Sequence, residues 1–109
     1  MTTLADSRTP VLLGEIIDLV AAHDDLRDPR LEPLLAYDAK YGSAMRESVE
    51  MYLRYFGDVR KAAAELQVHP NTLRYRLRRA EDILDINLGD PAGRLLVEIQ
   101  LAVLRRSSG

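Results

Sequence analysis

The dipeptides Thr9-Pro10, His69-Pro70 and Asp90-Pro91 constrain this chain more than any other feature. Proline in the first turn of a helix gives up only an N–H that would have no intrahelical partner, and a polar residue before it caps the same end. Each pair therefore reads as a helix start, His69 being the poorest cap of the three. Strand signals are missing. No segment alternates apolar and polar positions over β-branched residues, and no Asn-Gly or Asp-Gly hairpin turn occurs. A chain punctuated in this way folds as helices.

Apolar spacing fills in the elements. The first helix is expected from about Pro10 to Ala22, with Leu12, Leu13, Ile16, Ile17 and Val20 on one face. "HDDLRDP" breaks it. A helix begun at Asp28-Pro29 would carry Pro33 too deep, so a turn is expected, then a short helix from Pro33 to Tyr37. Its apolar face is Leu34 and Leu35, with Leu31 as a further candidate. Gly42-Ser43 introduces a third helix, about Ala44 to Phe56, striped by Met45, Val49, Leu53 and Phe56 and stopped by Gly57. Asp58 caps a short helix from Val59 to Leu66, and "QVHP" forms a tight turn. A helix then runs from Pro70 to about Leu84. Asp90-Pro91 opens the last one, to about Leu104, with Leu95, Leu96, Ile99 and Val103 apolar. The expected fold is all-α, a compact domain of five or six helices with Leu66, Val68, Leu73, Leu77, Leu84, Leu95 and Ile99 in one core. The expected division is an N-terminal helix and connector over 1–30, a helix-turn-helix domain over 31–106 and a disordered tail, 107–109.

Composition narrows the chemistry. A chain of 109 residues suits one domain, and five Tyr, one Phe and no Trp leave the core to aliphatic side chains. The absence of cysteine excludes disulfides, cysteine metal sites and a thiol nucleophile, and it suits a reducing cytoplasm. His23 and His69 stand apart, so no metal constellation forms. Asp24, Asp25 and Asp28 lack the glycine and terminal glutamate of a calcium loop. With no glycine-rich phosphate loop and no histidine beside a nucleophile, neither an enzyme nor a cofactor is expected. "MTTLADSRTP" does not have the make-up of a secretory signal, and no apolar run is long enough to span a membrane.

Charge is unevenly placed. The formal net charge is -2. Met1 to Glu50 holds five basic and ten acidic residues, a net of -5, whereas Asp58 to Arg79 holds six basic and two acidic, a net of +4. Four arginines fall within Arg74 to Arg79. Such asymmetry is a local footprint for a negative partner that the whole-chain charge conceals.

Asp58 to Arg79 also has the layout of a helix-turn-helix: a short helix, a tight turn and a second helix. Small residues over Ala62 to Ala64 allow a close crossing, and Val68 suits a plug between the helices. Gln67 stands near the place of the usual turn glycine. At about 100° per residue, Leu73, Leu77, Ala80 and Leu84 share one narrow sector of the second helix and must face the core. Asn71, Tyr75, Arg78 and Arg79 lie opposite, with Thr72 beside them and Arg74 and Arg76 flanking. Asn and Thr can meet base edges, and Arg can take guanine or phosphate. The helix N-terminus favours phosphate as well. Arg60 and Lys61, on the preceding helix, complete the candidate DNA-contact set.

Around these residues the chain resembles a known family. "YFGDVRKAAAELQVHPNTLRYRLRRAEDILDINLGDPAGRLLVEIQLAVLRR" is similar to the C-terminal DNA-binding domain of PucR-type transcriptional regulators, the group that includes bacterial sugar-diacid regulators. "HPNTLRYRLRR" followed by "DINLGDP" is its most specific part, and "LLAYDAKYG" extends it towards the N-terminus. More distantly the stretch is similar to the helix-turn-helix of Fis and of enhancer-binding activators. The resemblance implies sequence-specific binding of double-stranded DNA by Pro70 to Arg79, and transcriptional control. In such regulators this domain closes a longer chain whose N-terminal part senses a small molecule. No such sensor fits in residues 1–50, so a fragment, or a regulator whose input lies elsewhere, is expected. One recognition helix covers few base pairs, so a homodimer on DNA is expected, with Ile16, Ile17 and Val20 as candidates for the contact.

Three other readings compete. The arginines could be a solvated helix face, but such faces intersperse acids at i+4, whereas Arg74 has Arg78 and Arg76 has Ala80. The basic helix could dock an acidic protein partner, for which Asn71 and Thr72 are not needed. A membrane-surface helix is disfavoured, because Leu73 and Leu77 are committed to the core.

Overall fold

A computed structural model describes residues 4–108. Six α-helices follow one another: α1 (Leu4–Ala21), α2 (Leu31–Tyr41), α3 (Met45–Arg54), α4 (Val59–Leu66), α5 (Pro70–Leu84) and α6 (Pro91–Ser108). A single 3-10 turn, Asp24–Leu26, follows α1, and no strand occurs among the described residues. The fold is all-α, as expected. The chain divides into two compact units, Pro29–Glu98 and a second made of the segments before and after it.

In the first unit α3 is central, packed against α2, α4 and α5, while α5 also meets α2 and α4. The α3 stripe supplies Met45, Val49 and Leu53, all buried. Against it come Leu31 and Leu34 of α2, Ala62 and Ala63 of α4, and Leu73, Leu77, Ala80 and Leu84 of α5. Ile86 and Leu88, in the loop after α5, are buried too. That loop is closed by the Leu88 amide, which donates to Glu81 Oε2 at 2.8 Å. Gly93 in the first turn of α6 is required by crowding: a Cβ there would lie 2.7 Å from the Asn87 carbonyl oxygen.

Helix α3 begins on a cap that its own sequence does not contain. Ala44 precedes it and offers no side-chain acceptor. Asp38 of α2 serves instead, accepting from the Met45 amide at 2.8 Å, the Arg46 amide at 2.9 Å and the Ser43 hydroxyl at 2.6 Å. A carboxylate at a helix N-terminus satisfies orphan donors and complements the positive dipole end.

Several expectations are corrected here. Helix α1 begins at Leu4, with Pro10 inside it. A helix can run through proline, since its φ is helical, at the cost of one hydrogen bond. Helix α2 begins at Leu31 and not Pro33, so Pro33 stands in the first turn, where its missing N–H is harmless. The α3 stripe stops at Leu53. Phe56 adopts a left-handed backbone (φ 55°) and is 91% exposed, because the chain has already left the helix at Arg54. In α6, Leu95 is 57% exposed and Ile99 only half-buried, whereas Val97, Gln100, Leu101 and Val103 are buried. Apolar residues surround most of that helix, so their spacing does not select a face. Leu66 and Val68 are half-buried.

In the second unit, Gln100 is buried because both ends of its amide are used. Its Oε1 accepts from the Asp28 amide at 2.9 Å and its Nε2 donates to the Leu26 carbonyl at 2.8 Å. Arg106 Nε reaches Asp18 Oδ1 of α1 at 3.0 Å. Leu12, Leu13 and Ile16 of α1 are exposed, and Ile17 and Val20 are half-buried. Helix α6 reaches Ser108, beyond Leu104; Gly109 of the expected tail, like Met1 to Thr3, lies outside the described residues. No helix among the described residues is long and apolar enough to cross a membrane.

Leu77, 7% exposed in the centre of the α5 stripe, tests this packing. Leu77→Ala is expected to lower the unfolding free energy by about 2–5 kcal/mol, read from urea denaturation. A loss below about 1 kcal/mol would place the side chain outside the core.

Candidate nucleic-acid interface

The site is the pair α4 and α5 with the turn between them. Asp58 caps α4 as its sequence position requires, its Oδ1 accepting from the Lys61 amide at 3.1 Å. Ala62 and Ala63 are completely buried, so α5 crosses α4 with no bulky side chain between; Ala64, the third small residue, is exposed. The turn closes through the Val68 amide, which donates to the Ala63 carbonyl at 3.0 Å. Gln67 takes the left-handed conformation (φ 58°) that glycine fills at lower cost. Val68 is a half-buried corner plug.

His69 caps α5 with its ring. Nδ1 accepts from the Asn71 amide at 3.0 Å, which requires that nitrogen to be unprotonated, and Pro70 follows at the first helical position. The buried stripe of α5 then sets its rotation. Asn71, Thr72, Arg74, Tyr75, Arg78 and Arg79 are all exposed, Tyr75 at 60% despite its aromatic ring. Arg76, the seventh α5 residue in the expected set, is half-buried towards the edge of the packed face. Arg60 and Lys61 are exposed on the first turn of α4, a separate element.

Two of these arginines are tied to a neighbour. Arg74 Nη1 donates to Asn71 Oδ1 at 2.8 Å, so the first turn of α5 presents an amide and a guanidinium as one unit. The Arg79 guanidinium carbon lies 5.5 Å over the ring of Tyr37 of α2. A hydrogen bond to the Tyr37 side chain, then its electrostatic effect, raise the pKa of Arg79 above its ordinary value; Tyr75 and Asp82 add to the rise and desolvation opposes it. Tyr37 was not among the expected site residues. Its signal was the pair Tyr37 and Tyr41, four apart in "AYDAKY", which a helix ending at Tyr37 conceals.

Among the described residues, no group of three or more His, Cys, Asp or Glu side chains is placed to hold a metal ion. The site is a polar and cationic helix face on a helix-turn-helix frame.

Comparison with known proteins agrees with that class. Residues 45–103 match the PucR C-terminal helix-turn-helix domain, and the chain belongs to that family. It is 38% identical over 71 residues to an uncharacterized protein of Mycobacterium tuberculosis, a match covering 65% of this chain and 15% of that protein. It is 38% identical over 58 residues to the DNA-binding transcriptional activator AdeR of Bacillus subtilis, covering 53% of this chain and 14% of AdeR. The chain thus spans about a seventh of the length of these relatives. Among solved structures, the regulator of polyketide synthase expression from Bifidobacterium adolescentis superposes with a TM-score of 0.58 at 33% identity, over 62% of this chain and 26% of that one.

Gln67 offers a test of the turn. Gln67→Gly removes the strain of a side chain at positive φ and adds backbone entropy to the unfolded chain. The expected net is a gain of up to about 1 kcal/mol in unfolding free energy, by urea denaturation. A loss would mean that the Gln67 side chain holds the corner.

Proposed function

We propose that this chain binds double-stranded DNA sequence-specifically as the DNA-binding part of a transcriptional regulator, with α5 in the major groove. The observation that carries this reading is the outer face of α5. Short polar groups stand in its first turn, guanidinium groups surround them, and the opposite stripe is fully committed to the core. A helix presented in this way by a helix-turn-helix offers Asn71, Thr72 and Tyr75 to base edges. Arg74, Arg76, Arg78 and Arg79, with Arg60 and Lys61 of α4, supply phosphate contacts, and Arg74 or Arg78 takes a guanine. The description of AdeR as a DNA-binding transcriptional activator supports the same reading.

The domain doing this spans residues 31–106, with 1–30 as a helix and connector. It works as a homodimer, because one helix reads few base pairs. The exposed Ile16 of α1 and the half-buried Ile17 and Val20 beside it are the surface for the contact. Its role is non-enzymatic and cytoplasmic, and effector sensing belongs to a part of the regulator outside these residues.

Binding to a preferred and a random duplex, titrated at several salt concentrations, tests the division of labour. Asn71→Ala is expected to cost roughly 1–3 kcal/mol on the preferred duplex and almost nothing on the random one. An arginine that binds phosphate is expected, when replaced by Ala, to weaken both duplexes alike and lower the salt slope by about one. The same titration is expected to saturate at two chains per preferred site. Should no variant distinguish the two duplexes, the basic helix is a generic binder of polyanions or acidic partners, and the regulator reading falls.

A further inference from the structure

The positive face of α5 is continued by α2. Tyr37, which lies under the Arg79 guanidinium, packs on Tyr41 with ring centroids 4.7 Å apart. Lys40 Nζ lies 5.2 Å from the centre of the Tyr41 ring. Two cations from two helices are thus linked through two rings packed at a 49° tilt. Lys40, Tyr41 and Arg79 are exposed, Tyr41 at 61%, so the cluster is seated on the surface and does not serve the core.

A long cationic side chain at a surface ordinarily samples many rotamers, and ordering it costs free energy when it binds. Here the rings take up part of that cost before any partner arrives. Of the two nearby acids, one is already engaged elsewhere. Asp38, the carboxylate of α2 closest in sequence to Lys40, is occupied by three donors at the start of α3. Asp82, one turn beyond Arg79, is the acid that acts on its guanidinium. Held cations beside a groove-reading helix, with no short amide or hydroxyl group among them to read a base, suit a phosphate backbone.

We infer that the C-terminal end of α2 is a second DNA-contact element, in which Tyr37 positions Arg79 on a phosphate and Lys40, seated on Tyr41, binds another beside the groove read by α5. This rests on the DNA-binding reading above. Tyr37 is a positioning residue, acting through Arg79. Lys40 is a direct contact and carries no sequence preference.

The test is equilibrium binding of the whole chain to a preferred and a random duplex across salt concentrations, with the unfolding midpoint of each variant measured alongside. Lys40→Ala is expected to weaken both duplexes alike, about fivefold at physiological salt, and to lower the salt slope by about 0.9. Tyr37→Leu removes the ring beneath Arg79. It is expected to weaken both duplexes, whereas Tyr37→Phe, which keeps the ring, binds as the parent does. Tyr37→Leu is expected to have no further effect in an Arg79→Ala background. An unchanged slope for Lys40→Ala overturns the inference, as does a Tyr37→Leu loss that persists without Arg79. A parent chain that binds neither duplex removes the DNA-binding reading and this inference with it. A parent that binds both while Lys40→Ala matches it removes this inference alone.

Discussion

Everything in the site depends on one packing contact, the burial of Leu73, Leu77, Ala80 and Leu84 of α5 against the rest of the Pro29–Glu98 unit. These four positions fall in one sector of a helix, so burying them fixes the rotation of α5 about its axis. Seven polar, basic or aromatic side chains between Asn71 and Arg79 are then left at the opposite face or its edges. A different rotation would bury guanidinium groups without partners, at a cost no compensating contact here offsets. Completely buried Ala62 and Ala63 make the same contact close on the α4 side.

The helix ends convert that rotation into a presented surface. Asp58, His69 and Asp90 each occupy an acceptor position before a helix, with Lys61, Asn71 and Gly93 as the amide donors. The cap at His69 anchors the turn from which Asn71 and Thr72 project. The left-handed residues Phe56, Gln67 and Asp85 stand at the three exits of α3, α4 and α5. None is glycine, so each corner carries backbone strain that the surrounding packing must hold.

The fold and the outward face of α5 were legible because their signals are local. A capping residue followed by proline marks α5 and α6, and the 3.6-residue period of Leu73, Leu77, Ala80 and Leu84 gives the face of α5 before any packing is known. Boundaries that depend on the rest of the chain were not legible. The cap of α3 is Asp38, seven residues before the first amide it holds, and no local rule points to it. The buried Gln100 runs against polarity because its partners, Asp28 and Leu26, are more than 70 residues away. Leu95 was misplaced because α6 is apolar on too many sides for periodicity to choose among them. Tyr37 entered the site only when α2 proved to continue past it to Tyr41, which brought both rings onto one face.

Sequence reading by α5 is the central proposal. Selection of bound duplexes from a random pool by the purified chain tests it most directly. The account predicts enrichment of a defined consensus made of two related half-sites in inverted orientation, one per α5 of a dimer. A pool recovered by the protein yet unchanged in sequence after repeated rounds would contradict it, leaving α5 as a polyanion-binding surface without readout.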